Sequence, residues 1–248
     1  MYKIHNIFTG FSGKLENVAL GWGSIALLQS EEQNILIDTG SIGIRAHLPN
    51  LLSKYKLTVK DIDVVLLTHL HFDHAGNVSL FPKAKFIVGE EEWYYAHKQQ
   101  VKDLYIENGN LFFLSNADLY LIDRNGEIPF LPKIKAMHTP GHTPGSISYI
   151  YSEGNINYMF VGDAVKNRGE LVSGRVQMSL NSETSQNSIK KIKQSCDWLL
   201  PGHDNWLHLK DGELIEQKEN YKVLLYGEGL TINNGKKKII LSMDSITG

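Results

Sequence analysis

Cysteine is almost missing from this chain: Cys196 is the single one among 248 residues. An intrachain disulfide is thereby excluded, as is a structural zinc site built from several thiolates. Cys196 stands in a helix-like stretch near Trp198 and Leu199, which fits a buried, inert thiol better than a nucleophile. An excess of charge of one sign is also lacking. Lys and Arg number 25 against 27 Asp and Glu, a net charge of -2, too weak a field to gather nucleic acid or an anionic membrane. No run of about 18 apolar residues suits a membrane span, and Met1 to Ile7 lacks the basic start and apolar core of a signal peptide. These absences predict a cytoplasmic protein acting on a small, weakly charged molecule, with neither nucleic acid nor membrane as partner; a homo-oligomer is compatible with the composition. Low-complexity linkers and short repeats are missing too, which argues against a solenoid.

What is present is ordinary for a globular chain, 42% hydrophobic and 21% charged residues, and the length suits one large α/β domain over 1–248. One stretch is not ordinary. In Thr68-His69-Leu70-His71-Phe72-Asp73-His74-Ala75-Gly76-Asn77, four metal-ligand side chains fall within six positions, directly after the apolar run Val64 to Leu67. Such a run reads as a buried strand that delivers its contents to a loop at the sheet edge. Residues two apart in extended chain project to one side, so His69 and His71 can grip one ion, and Asp73 and His74, past the bend, can reach a second. Imidazoles and carboxylates without thiolate suit zinc, manganese or iron and leave room for water.

Around this stretch the pattern predicts strands at Tyr2–Phe8, Ile25–Leu28 and Ile35–Ile37, an antiparallel opening whose third strand ends at Asp38-Thr39-Gly40. Asp38 is either a turn former or a carboxylate that orients the metal loop. A helix follows at Leu48–Tyr55, another opens at Ala75–Leu80, a strand covers Lys85–Val88, and Glu90–Gln100 is helical. The stretch through Asn116 reads as irregular chain overhanging the site. Beyond Pro132 come strands Ile134–Met137 and Ile147–Tyr151, separated by the Thr139-Pro-Gly-His142-Thr-Pro-Gly145 segment, then Tyr158–Val161 ending at Gly162-Asp163-Ala164. A helix at Thr184–Lys193 leads to a strand at Asp197–Leu200 that ends at Pro201-Gly202-His203-Asp204. Each of the last strands delivers a possible ligand at its end. Leu230–Leu241 reads as a β-hairpin turning at Asn234-Gly235.

Taken together, His69, His71, Asp73, His74, His142, Asp163 and His203, each in its motif, resemble the metallo-β-lactamase fold hydrolases, and the resemblance runs from the early strands to His203. It implies an α/β chain folded as a four-layer αββα sandwich, with the C-terminal hairpin as an appendage. Two divalent metal ions are implied, most simply Zn2+, with Fe or Mn as alternatives. His69, His71 and His142 would hold the first, Asp73, His74 and His203 the second, and Asp163 would bridge them. Hydrolysis by a hydroxide shared between the ions follows, with Asp73 carrying its proton to the leaving group. His5, His47, His97, His138 and His208 match no ligand position; His138 lies four residues before His142.

The scaffold hosts many reactions on nearly these ligands. Asp163 and the lack of an export signal speak against antibiotic hydrolysis, the short C-terminal extension against a glutathione thioesterase, and the balanced charge against a transfer RNA nuclease. His-Leu-His-Phe-Asp-His-Ala-Gly, Gly-Asp-Ala and Ser188-Ile-Lys-Lys-Ile-Lys193 before Gly-His-Asp look most like the N-acyl homoserine lactonases, so a small ester or lactone is the expected substrate. Those enzymes usually place a tyrosine between the bridging aspartate and the last histidine, and 164–202 holds none. Phe72, Trp22, Met178 and Leu180 are candidate apolar walls, with ordinary packing as the competing reading. The alternatives are a phosphodiesterase, nuclease or thioester hydrolase of the same fold, an oxidoreductase resembling the one-iron persulfide dioxygenases, and a non-catalytic metal-binding module.

Overall fold

The computed structural model describes residues 1–14, 16–18, 20–98 and 103–215, and the backbone of two strands at 221–227 and 237–243. The first sheet opens as the sequence predicts. Strands β1 (Lys3–Phe8), β2 (Ile25–Gln29) and β3 (Asn34–Ile37) pair antiparallel, and after helix α1 (Leu48–Ser53) strand β4 (Val64–Leu66) joins β3 in parallel. Helix α2 (Phe72–Ala75), strand β5 (Lys85–Gly89), helices α3 (Glu90–His97) and α4 (Asn108–Ser115) and strand β6 (Asp118–Ile122) complete a six-stranded sheet in sequence order. The second sheet has seven strands: β7 (Asn125–Ile128), β8 (Leu131–His138), β9 (Ile147–Glu153), β10 (Ile156–Gly162), β11 (Trp198–Pro201), β12 (Leu207–Lys210) and β13 (Glu213–Leu214). Its single parallel pair, β10 with β11, needs a long crossover, and helices α5 (Arg168–Ser173) and α6 (Ser182–Lys193) lie within it.

Strands buried on both faces read as continuous apolar runs, each residue serving one face in turn. In β3, Ile35 and Ile37 join the cluster between the sheets, which also takes Val64 and Leu66 of β4 and Tyr149, Phe160 and Leu200 of the second sheet. Leu36 and Val65 turn the other way, towards Leu48 and Leu52 of α1 and Leu111 and Leu114 of α4. On the far side Met159 and Val161 of β10 meet Ile189 and Ile192 of α6 and Leu171 of α5. Three apolar layers thus separate four layers of secondary structure, the expected αββα sandwich. Among the described residues no helix is long and apolar enough to cross a membrane.

Three expectations need adjustment. The helix foreseen at Ala75–Leu80 begins instead at Phe72 and stops at Ala75, with a 3-10 turn at Val78–Leu80. The reason is Asn77: its buried amide donates to the carbonyls of Thr39 and Ser41 at 2.9 and 2.8 Å, which ties the chain to the end of β3 in place of another helical turn. Asp73 and His74 therefore ride on the first turn of α2. The stretch up to Asn116 is not irregular throughout, because α4 buries Leu111 and Leu114. Near the C-terminus the Asn234-Gly235 turn lies outside the described residues; an antiparallel pair joins β14 (Tyr221–Gly227) to β15 (Lys237–Met243). The chain divides into two compact units, Met1–Leu214 and Ile215–Gly248.

Candidate metal centre

The seven side chains singled out in the sequence arrive from four places at one edge of the two sheets. Past β4 the extended segment through His71 presents His69 and His71, and α2 follows with Asp73 and His74. The β8–β9 loop supplies His142, the end of β10 Asp163, and the end of β11 His203. Six of them are buried, from 0% exposure at His74 to 9% at His203, and the Asp73 side chain is 14% exposed. Their donor atoms gather in three overlapping groups: His69, His71 and His142; His69, His74 and Asp163; and Asp73, His74 and His203, each within 4.8 Å. Asp163 lies between the sets, with Oδ2 at 3.4 Å from His142 Nε2 and Oδ1 at 3.1 and 3.2 Å from His74 Nε2 and His203 Nε2. Asp73 Oδ2 is 3.4 Å from His203 Nε2 and 3.9 Å from His74 Nε2.

Every one of the five histidines turns its other ring nitrogen to an oxygen. His74 Nδ1 meets Asp38 Oδ2 at 2.7 Å, His71 Nε2 meets Asp103 Oδ2 at 3.1 Å, His142 Nδ1 the Met178 carbonyl at 2.9 Å, and His203 Nδ1 the Trp22 carbonyl at 2.9 Å. His69 Nδ1 lies 3.1 Å from Thr68 Oγ1, whose own proton goes to Asp38 Oδ2 at 2.8 Å. An N–H spent on such an oxygen fixes the tautomer and leaves the inner nitrogen as a bare lone pair. His71 Nδ1 and His142 Nε2 then face each other at 3.0 Å, an arrangement that two lone pairs oppose and a cation between them reverses. His69 Nε2, His74 Nε2 and Asp163 Oδ1 are buried without a hydrogen-bond partner, as metal-facing atoms would be. The donor set therefore fits divalent cations.

Electrostatics divides the centre in two. Burial, reinforced by His74, His71 and His142, holds His69 well below the usual imidazole range, and burial takes His142 down to about 3. On the other side burial also works against charge, but Asp73, Asp163 and Asp38 outweigh it at His74 and raise it well above the usual value, and Asp163 and Asp73 raise His203. Asp163 resists its own burial, because His203, His142 and His74 keep its carboxyl well below the normal carboxylate range. Burial thus disfavours charge on His69 and His142, on the side that has only nitrogen donors, and the carboxylates concentrate where Asp73, His74 and His203 meet.

Asp38 takes the orienting role rather than that of a mere turn former: with a left-handed backbone (φ 56) it accepts from Thr68 N and Oγ1, both at 2.8 Å, and from His74. His138, outside the ligand set, donates from Nε2 to the Pro144 carbonyl at 2.8 Å and so braces the loop that carries His142. Two buried carboxylates that no motif announces also reach the framework. Asp103, which takes the Tyr95 hydroxyl at 2.8 Å as well as His71, could be suspected only from its place in the overhanging stretch. Glu92 is fully buried on α3, and its position in the first helical turn reads as ordinary dipole complementation. Of the candidate apolar walls, Met178 and Leu180 are 53% and 61% exposed, so packing does not account for them; Trp22 packs at a tilt against Phe11, and Phe72 stacks on Tyr105.

The sequence model of the metallo-beta-lactamase superfamily matches residues 21–203. A probable metallo-hydrolase of Methanocaldococcus jannaschii is 30% identical over 202 residues, 74% of this chain and 88% of the relative. An N-acyl homoserine lactonase of Bacillus cereus is 28% identical over 225 residues, 79% and 83% of the two chains. Among solved structures, a probable metal-dependent hydrolase from Staphylococcus aureus superposes with a TM-score of 0.69 at 23% identity, covering 88% of this chain and 98% of that one. The matched stretch begins just before β2 and closes on His203, so it takes in β2 to β11 and all seven side chains at the sheets' shared edge: the chain belongs to the metallo-β-lactamase superfamily and is a metal-dependent hydrolase.

Proposed function

We propose that the protein is a dinuclear hydrolase of a small ester or lactone. The carrying observation is the five-histidine framework, in which each outer nitrogen is spent on an oxygen and each inner one converges on Asp163 or on another ligand. His69, His71 and His142 would hold one divalent ion, Asp73, His74 and His203 the other, with Asp163 between them; zinc suits the donors best, iron and manganese next. When bound, such ions supply Lewis acidity and bring the pKa of water down towards about 7.

The chain's own groups do the rest. Asp163, buried between the two sets, keeps their donors in register. Asp73, the most exposed carboxylate of the centre, is placed to pass a proton to the departing alkoxide. The rim is apolar: Met178 and Leu180 stand beside His142, whose ring and backbone their segment binds through Met178 O and Leu180 N, and the Tyr105 ring stands 5.5 Å from that of His71. Exposed apolar side chains around a polar centre suit the acyl part of an ester or lactone, a substrate class named for the Bacillus relatives. A small uncharged substrate also agrees with the balanced charge, and a cytoplasmic setting completes the reading.

The test is a panel of acyl lactones, aryl esters, glutathione thioesters and phosphodiesters assayed with metal-loaded protein and with Asp163→Asn, alongside metal analysis. Two ions per chain and a lactone or ester preference that Asp163→Asn abolishes are expected. A phosphodiester preference, or one iron with oxygen uptake, would overturn the proposal.

A further inference from the structure

We infer that Glu92 is the positioning residue of the three-histidine set: a single buried carboxylate ties together the two loops that bring His69, His71 and His142 to one point. The inference rests on the two-ion reading above. Glu92 Oε1 accepts from the backbone N–H of Leu70, the residue between His69 and His71, at 3.0 Å. Its other oxygen, Oε2, accepts from the Thr143 hydroxyl, next to His142, at 2.6 Å. The loops belong to different sheets, the first following β4 and the second joining β8 to β9; one backbone bond, Ile147 N to Thr68 O at 2.9 Å, joins their bases, which leaves the spacing beside Leu70 and Thr143 to be set by a side chain. Glu92 does so from a third element, α3, and is 0% exposed.

Gly145 makes this contact possible. A Cβ there would lie 1.9 Å from Glu92 N and 2.3 Å from its Cα, so only glycine lets the β8–β9 loop rest on the first turn of α3. In the Asp73, His74 and His203 set, His74 is braced by Asp38, which also reaches His69 through Thr68 Oγ1, and His203 by the Trp22 carbonyl; neither of those braces touches Glu92. Ligand-orienting partners of this kind typically govern metal affinity by about 10–100-fold, which gives the inference a site-selective signature.

Two backgrounds isolate the sets: His203→Ala leaves the three-histidine set complete, and His142→Ala leaves the other. Zinc affinity is measured in each by competition with a chromophoric chelator, with and without Glu92→Gln, and cobalt spectra report the coordination. Glu92→Gln keeps the size and an oxygen for Leu70 N but weakens the acceptor, and is expected to lower affinity at least about tenfold in the His203→Ala background and by less than about threefold in the other. Equal loss in both, or none in either, would overturn the inference. Should Glu92→Gln not fold, Thr143→Val removes one arm alone and must show the same selectivity. Wild-type stoichiometry tests the two-ion reading separately, since one ion per chain would sink that reading while the ratio in the His203→Ala background still decides the role of Glu92.

Discussion

Asp38→Asn is the perturbation from which most can be learned about how the Asp73, His74 and His203 set is organised. Asparagine tolerates a left-handed backbone about as well as aspartate, so the φ of 56 at this position adds no new strain and the change is confined to the side chain. One carboxylate oxygen can still accept from Thr68 N as Oδ1 does now at 2.8 Å. The other becomes an NH2 group facing Thr68 Oγ1 and His74 Nδ1, at 2.8 and 2.7 Å. Two donors cannot share that contact. His74 must either lose it or move its proton to Nε2, the atom 3.1 Å from Asp163, and a protonated Nε2 cannot ligate. A hydrogen bond to a charged group is worth about 1.5–3 kcal/mol, which at about 1.4 kcal/mol per decade predicts a loss of roughly 10–100-fold in affinity at the Asp73, His74 and His203 set. The assay is chelator competition in the His142→Ala background, with nitrogen NMR of labelled histidine reading the tautomer. Affinity within about twofold of the parent, with His74 still protonated at Nδ1, would refute the reasoning.

Three other outcomes follow from the packing. Tyr149 is fully buried on β9, and its hydroxyl donates across the sandwich to the Leu67 carbonyl at 2.9 Å; Tyr149→Phe orphans that carbonyl and should cost about 1–3 kcal/mol, several degrees in Tm by calorimetry. Gly145→Ala should cost about 1–3 kcal/mol or more through overpacking against Glu92, whereas Gly109→Ala, on α4 with nothing near its Cβ, should gain about 0.5–1 kcal/mol; denaturant unfolding of the pair checks the sign. Burial, aided by Asp197, pushes the Cys196 thiol up to about 12, so at pH 8 only about one molecule in ten thousand carries the thiolate that reacts. Mass spectrometry should find Cys196 unmodified by iodoacetamide in the native protein and alkylated in denaturant; rapid native labelling would contradict its burial.

The strands were readable because β3, β4 and β10 are buried on both faces and write themselves as unbroken apolar runs, and the ligands because they cluster at the ends of those runs. What orients the ligands was less visible. Asp38 could equally have served its own turn, and only the fold brings Thr68 and His74 to it. Glu92 sits where a helix welcomes acidic residues for local reasons, so its contacts with Leu70 and Thr143 leave no periodic mark. Asp103 stands in chain without a pattern of its own, although it meets His71 at 3.1 Å. The end of α2 was misjudged because the Asn77 amide answers to Thr39 and Ser41, residues more than thirty positions earlier. Ligands are chosen by chemistry, which a sequence displays; their braces are chosen by proximity, which it does not.

The first ligand lies just past β4, at position 69, and the last just past β11, at position 203. Gathering donors spread from position 69 to position 203 needs contacts between distant parts of the chain, which form slowly and at an entropic cost. The centre is therefore a late event in the life of the chain. Only the folded sandwich brings all seven candidate donors together, so the complete set is a property of the native state alone. Ions bound by that set would pull against unfolding the more strongly the higher their free concentration, so removing metal is expected to lower Tm along with activity.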